Sequence, residues 1–214
     1  MDYITPEEMR ELEKRASSRG VSVVQLMENA GIGIAKEIES RFEPIQGKKV
    51  VIVAGLGNNG GDGVVAGRYL DSSGAVVVVF LLGTSESIKT QESRVNWKRL
   101  RGANVETIEI QRAEELELLR KGLEGADVVI DSIFGTGVRG VIGEPFASAI
   151  RVVNAAHSKR VSVDIPSGLD PLTGEAKDPT IRADITLALH KPKTGLRGRM
   201  DHTGELVVVP LGIE

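Results

Sequence analysis

The stretch VVIVAGLGNNGGDG, residues 50–63, decides the reading of the fold. An apolar, β-branched run ends at Ala54, and Gly55, Gly57 and Gly60 follow at G-x-G-x-x-G spacing. A buried strand that turns straight into a helix has this pattern, because glycine permits positive φ and lets the backbone approach a ligand. The helix N-terminus beyond it favours an anion. Asn58, Asn59 and Asp62 crowd the same loop. Asp62 reads as the N-cap of a helix over 63–73, and the asparagines as turn residues tolerant of left-handed backbone. Taken together, the three acceptor-rich side chains point instead to a cation, a ribose or both.

Outward from this stretch the chain alternates strand and helix. Continuous apolar runs fall at 49–54, 75–82, 126–133, 160–165, 184–189 and 205–210, with a weaker one at 104–110. Helical segments are expected near 63–73, 86–101, 113–123 and 145–157. Strands apolar on both faces and separated by helices predict an α/β fold, a three-layer αβα Rossmann-like sandwich with a mostly parallel central sheet. An N-terminal helix pair precedes it. Thr5-Pro6-Glu7-Glu8 carries a cap, a first-turn proline and a capping-box glutamate, and Ser22 with Gln25 opens the second helix. The stripe Val23, Leu26, Met27, Ala30, Ile34 and Ile38 of that second helix suits either a dimer surface or a cover for the sheet.

Bulk properties narrow the function classes. A chain of 214 residues suits one domain, 1–214. The formal charge of −3 supplies no basic field for nucleic acid or a membrane surface. There is no cysteine, hence no disulfide, thiolate metal site or cysteine nucleophile. The longest apolar run, Ala75 to Leu82, is too short to span a bilayer, and the polar start is unlike a signal peptide, so a cytoplasmic, soluble protein is expected.

Ligands in such folds sit outside the carboxyl ends of strands, so functional residues are sought after 54, 133, 165 and 189. A second G-x-G-x-x-G, at Gly135, Gly137 and Gly140, follows the run ending DSIF. Asp131 lies near the end of that buried strand and needs a partner there: a basic side chain, backbone N–H groups or a metal ion. Arg139 could meet a phosphate. Two such loops after parallel strands favour a nucleotide-sized ligand. VSVDIPSGLD places Asp164 at another strand end, where a chemical role competes with a local turn cap. Lys191 and Lys193 follow the next strand, and either could pair with an aspartate for proton transfer. No P-loop, nucleophile elbow or histidine pair at metal spacing occurs, and Gly83-Thr84 stands where a dehydrogenase would carry its ribose acid.

LMENAG (26–31), GLGNNGGDG (55–63), DSIFGTGVRG (131–140) and VDIPSGLD (163–170) together resemble the YjeF N-terminal domain family, which includes the NAD(P)HX epimerases. The resemblance runs nearly to the end of the chain. It implies an isomerase that interconverts the R and S forms of NADHX and NADPHX, the hydrated reduced cofactors, at C6 of the nicotinamide ring. It implies substrate contacts at Asn58, Asn59, Gly60, Gly61 and Asp62, at Gly135, Thr136, Gly137, Val138, Arg139, Gly140 and Val141, and at Asp164. A potassium ion (K+) would be held by Asn59, Asp131 and Ser167. Asp164 would be the general acid/base. The family's lysine is matched by Lys191, with Lys193 two residues on as the alternative. The resemblance further implies a homodimer, and a partner NAD(P)HX dehydratase on another chain, since this sequence stops just after its last strand. Arg139 and Arg68 are the candidates for a 2′-phosphate. A non-catalytic binding or interaction module of the same fold, and a dehydrogenase, are the competing readings.

Overall fold

The computed structural model describes residues 2–137 and 140–213. Two helices lead, α1 (Pro6–Ser18) and α2 (Val23–Arg41). Then come β1 (Lys49–Ala54), α3 (Asn58–Ser72), β2 (Val76–Leu82), α4 (Gln91–Leu100), β3 (Glu106–Ile110), α5 (Leu116–Leu123), β4 (Val128–Ser132), α6 (Phe146–Asn154), β5 (Lys159–Val163), β6 (Ile185–Leu189), α7 (Met200–Thr203) and β7 (Glu205–Val209). Each apolar run of the sequence supplies one strand, within two residues of its expected bounds. All seven strands are parallel, in the order β3-β2-β1-β4-β5-β6-β7. The chain winds outward from β1 to β3, returns to β4 beside β1, and then winds the other way. The switch between β1 and β4 opens a crevice at their carboxyl ends, where this architecture binds ligands.

Alternation along the strands divides the core into two layers. Val50, Ile52 and Ala54 pack with residues of α2, α3 and α4, while Val51 and Val53 pack with residues of α5 and α6. Both faces are therefore apolar, which is why these strands read as unbroken runs. The α2 stripe lies inside the chain: Leu26, Met27, Ala30, Ile34 and Ile38 are buried. Only Val23 of that stripe stays exposed. Gly31 of LMENAG faces Val65 of α3, where any side chain would collide, so α2 and α3 lie close together. Glu28 accepts hydrogen bonds from Arg68 at 2.7 and 2.8 Å and from Arg99 at 2.6 Å, and Asn29 donates to the Leu211 carbonyl. Arg68 is thus committed to Glu28 rather than free for a phosphate.

The capping box of α1 forms as expected, with Thr5 and Glu8 bonding each other's backbone N–H groups. The first glycine loop differs from expectation. Helix α3 starts at Asn58, five residues before the expected Gly63, with Gly57 as its N-cap. Asp62 therefore lies within the helix and caps nothing. The reason is steric. A Cβ on Gly60 would collide with the Gly55 carbonyl oxygen, and one on Gly61 would lie 2.6 Å from the Met27 sulfur. These glycines let a helix press against backbone and against α2, a demand that looks like loop sequence. Segment 86–101 divides into a 3-10 turn at Ser85–Ser87 and α4, whose N-terminus Thr90 caps.

Candidate active site

The loops after β1, β4, β5 and β6 meet beneath α1 and α2. Asp164, the first residue beyond β5, has φ of 64°, in the left-handed region. Asparagine and aspartate enter that region more readily than other side chains, and such strain gathers at functional sites. Asp164 Oδ1 accepts from the Leu189 N–H at 3.1 Å and from Lys193 Nζ at 2.5 Å. Lys193 is 1 % exposed and also donates to the Leu189 and Lys191 carbonyls. Its ammonium is thus desolvated but fully partnered, as a buried charge has to be. Lys191, the sequence-matched lysine, points elsewhere and pairs with Asp2 at the surface. The correction is a matter of direction: β6 ends at Leu189, and the chain turns so that the second of the two lysines reaches inward.

Asp131 lies in β4 and is fully buried. Of the partners open to it, the structure supplies backbone and hydroxyl donors. Ser162 Oγ, across the ladder in β5, donates at 2.8 Å; the Ser167 N–H donates at 2.9 Å and its hydroxyl at 2.5 Å. The Ile133 N–H completes the set at 3.3 Å. Burial raises the Asp131 pKa, and these hydrogen bonds oppose that rise. Beside it, Asn59 Nδ2 donates to the Phe134 carbonyl at 2.9 Å, and the Ser167 hydroxyl accepts from the Phe134 N–H at 2.9 Å. Ser167 thus bridges Asp131 and Phe134, and Asn59 joins the same network through its amide N–H on the Phe134 carbonyl, beside hydroxyl, carbonyl and carboxylate oxygens. Among the described residues no group of three or more His, Cys, Asp or Glu could hold a metal. One carboxylate among neutral oxygens suits a hard monovalent ion better than a multivalent one.

A cavity of about 430 Å³ fills the crevice between these loops and the N-terminal helices. Asn58, Asn59, Asp62, Gly135, Thr136, Gly137 and Asp164 line it, so most of the expected substrate contacts share one space. Gly60 and Gly61 do not; they hold α3 in place. Gly140 and Val141 lie outside it, and Val141 is almost wholly exposed. Val138 and Arg139 fall outside the described residues. Asp131 and Ser167 sit behind the wall.

Sequence reading missed part of the lining. Arg10 and Glu13 come from α1, and Phe134 and Phe146, with ring centroids 5.0 Å apart, build an apolar side. One glutamate among the four of α1 carries no local signal. Burial pushes Asp62 well above the ordinary carboxylate range, with the nearby charges of Asp164 and Glu13 adding to the effect and Lys193 opposing it. Glu13 is likewise raised by burial, against the pull of Lys193. Asp62 has no side-chain hydrogen bond among the described residues, though it is only 9 % exposed.

This arrangement can hold an elongated polar molecule against helix-end N–H groups, with an acid–base pair at the floor. Among the described residues no helix is long and apolar enough to cross a membrane. The whole chain is 40% identical to a protein of Pyrobaculum aerophilum named bifunctional NAD(P)H-hydrate repair enzyme Nnr, and spans 42% of that relative's length. It is 38% identical, over 98% of its own length and 95% of the relative's, to the NAD(P)H-hydrate epimerase of Nitrosopumilus maritimus. A yeast protein of known crystal structure superposes with a TM-score of 0.83 at 27% identity, covering 95% of this chain and 86% of that one. Residues 23–195 match the family model described as YjeF-related protein N-terminus, from α2 to the turn after Lys193. By that match, by relatives near 40% identity over nearly the whole of this chain, and by the fold it shares with the yeast protein, the chain belongs to the YjeF-related protein N-terminal family.

Proposed function

We propose that this protein is an NAD(P)H-hydrate epimerase, interconverting the R and S forms of NADHX or NADPHX at C6 of the nicotinamide ring. The observation that carries this reading is the buried Lys193–Asp164 pair on the floor of a cavity framed by both glycine loops. The names borne by the relatives agree with it. A dehydratase acting on one epimer would consume the product and return the reduced cofactor.

Epimerisation needs no redox partner. A C6 hydroxyl must leave or the ring must open, and oxygen must return on the other face. Asp164 acts as the general acid/base, moving the proton of the C6 hydroxyl. Lys193 holds the Asp164 carboxylate in place and stabilises negative charge as it develops. The first turn of α3 presents its N–H groups to the diphosphate. Thr136 and the backbone of Gly135 and Gly137 line the opposite lip. Asn59, Asp131 and Ser167, with the Phe134 carbonyl, would hold K+, which would supply positive charge behind the two loops and offset the buried carboxylate.

The experiment is conversion of an R-enriched NADHX sample, coupled to an S-specific dehydratase, by wild type, Asp164→Ala and Lys193→Ala. Wild type is expected to outrun the spontaneous reaction, and both variants to fall to it. A wild type equal to the background overturns the epimerase reading and leaves a binding module of the same fold. Hydride transfer to or from NAD(P) with any substrate would favour a dehydrogenase instead.

A further inference from the structure

Besides Asp164 and Lys193, two carboxyl groups face the same cavity. Asp62 comes from α3 and Glu13 from α1. Asp62 is nine-tenths buried yet no donor reaches its side chain among the described residues. That is costly for a carboxylate and tolerable for a carboxylic acid, or for a group that meets its partner on a ligand. Glu13 is half-buried, has no side-chain hydrogen bond of its own among the described residues, and stands where the cavity meets solvent. Three carboxyls, Glu13, Asp62 and Asp164, therefore share one space with Arg10, Lys89 and Lys193, and Lys193 is spent on Asp164. The exposed Arg10, one turn before Glu13, is the other cation close to Glu13. Helix α1 lies outside the matched segment 23–195.

We propose that Glu13 and Asp62 supply a second acid–base function to this cavity, exchanging a proton with the bound ligand. The inference rests on the epimerase reading, and that chemistry explains why two such groups are present. The oxygen at C6 must depart from one face of the ring and arrive on the other, so a single acid is badly placed for one of the two events. In the step assigned to the pair, its proton passes to the C6 hydroxyl oxygen. The C6–O bond breaks with its electrons going to oxygen, water forms, and the ring-nitrogen lone pair closes a C6=N bond. Water then adds to C6 on the other face, the C=N electrons return to nitrogen, and the proton lost by that water goes to a carboxylate. Protons and electrons balance over the cycle. Burial raises both carboxyls, which favours a protonated acid on this side of the cavity. Glu13, at the solvent edge, is the member through which the proton is replaced.

The test is the pH dependence of R-to-S conversion by wild type, Glu13→Gln, Glu13→Asp and Asp62→Asn, with Trp97 emission and thermal unfolding as checks on folding. Saturation is followed separately from turnover. Glu13→Gln and Asp62→Asn should each lower kcat roughly 100-fold, within the range for general acid–base groups, with KM changed less than threefold. Wild type should lose kcat with rising pH as this acid loses its proton, and Glu13→Gln should lose that alkaline limb. Glu13→Asp should recover part of the rate. A wild type that converts NADHX while Glu13→Gln and Asp62→Asn keep its rate and its alkaline limb overturns this assignment alone. A fall in rate with an unchanged pH profile also overturns it, since packing alone would account for that. A wild type no faster than the background overturns the functional reading and this role with it.

Discussion

Lys193 Nζ lies 2.5 Å from Asp164 Oδ1 with the lysine side chain 1% exposed, while Lys191, two residues earlier, reaches outward to Asp2. Two lysines alike in sequence thus meet opposite solvents. Removing the Lys193 charge leaves a buried carboxylate without its partner, which costs about 3–5 kcal/mol. Lys193→Met should lose that much stability in urea denaturation and all epimerisation above background. Lys191→Met should unfold as wild type does and keep its rate within twofold, because an exposed pair contributes little. Equal effects from the two substitutions would remove Lys193 from the site.

Potassium should stabilise the protein through Asn59, Asp131 and Ser167. At a hundredfold excess of the ion over its Kd the gain is about 2.7 kcal/mol. For a chain of this size that corresponds to a rise in Tm of about 5–10 °C. Replacing potassium by choline at constant ionic strength should reverse it, and Ser167→Ala and Asp131→Asn should abolish the difference. An identical Tm in both salts would remove the ion from this niche.

The Asp62 carboxyl is held well above the unfolded value of 3.8 by burial and by neighbouring carboxylates. Below pH 3.8 folded and unfolded chains both carry its proton. As pH rises, the unfolded chain releases the proton first, so this group's contribution to stability falls until pH passes the folded-state value. Asp62→Asn cannot ionise and should escape that loss. Denaturant midpoints measured from pH 4 to 8 should show the variant gaining on wild type as pH rises. A constant gap across the range would show that Asp62 titrates normally.

Gly60, the third glycine of the first motif, and Gly137, the second glycine of the other, should respond differently to alanine. A Cβ on Gly60 collides with the Gly55 carbonyl oxygen, whereas Gly137 has open space. Gly60→Ala should cost roughly 3 kcal/mol, the upper range for overpacking, since rigid backbone blocks relief. Gly137→Ala should leave the denaturant midpoint unchanged while disturbing ligand contact at the cavity lip. Circular dichroism melts of the two proteins decide the matter.

Seven strands, their parallel class and the two glycine loops were legible in the sequence, because a strand buried on both faces needs an unbroken apolar run wherever it stands. The cluster around Asp131 was half legible. A carboxylate in such a run demands partners, and the residue types at 131, 162 and 167 were visible, but their meeting across β4 and β5 was not. The start of α3 was misread, because a glycine required for close packing of a helix cannot be told locally from a glycine required for a turn. Which lysine faces Asp164, that Arg68 belongs to Glu28, and that Glu13 of α1 enters the cavity were settled only by tertiary structure. Burial and side-chain direction at a strand end depend on which distant elements close over it. Period and composition report a residue's own neighbours along the chain, whereas the electrostatics of this site arise between four segments that the chain brings together only when the sheet is complete.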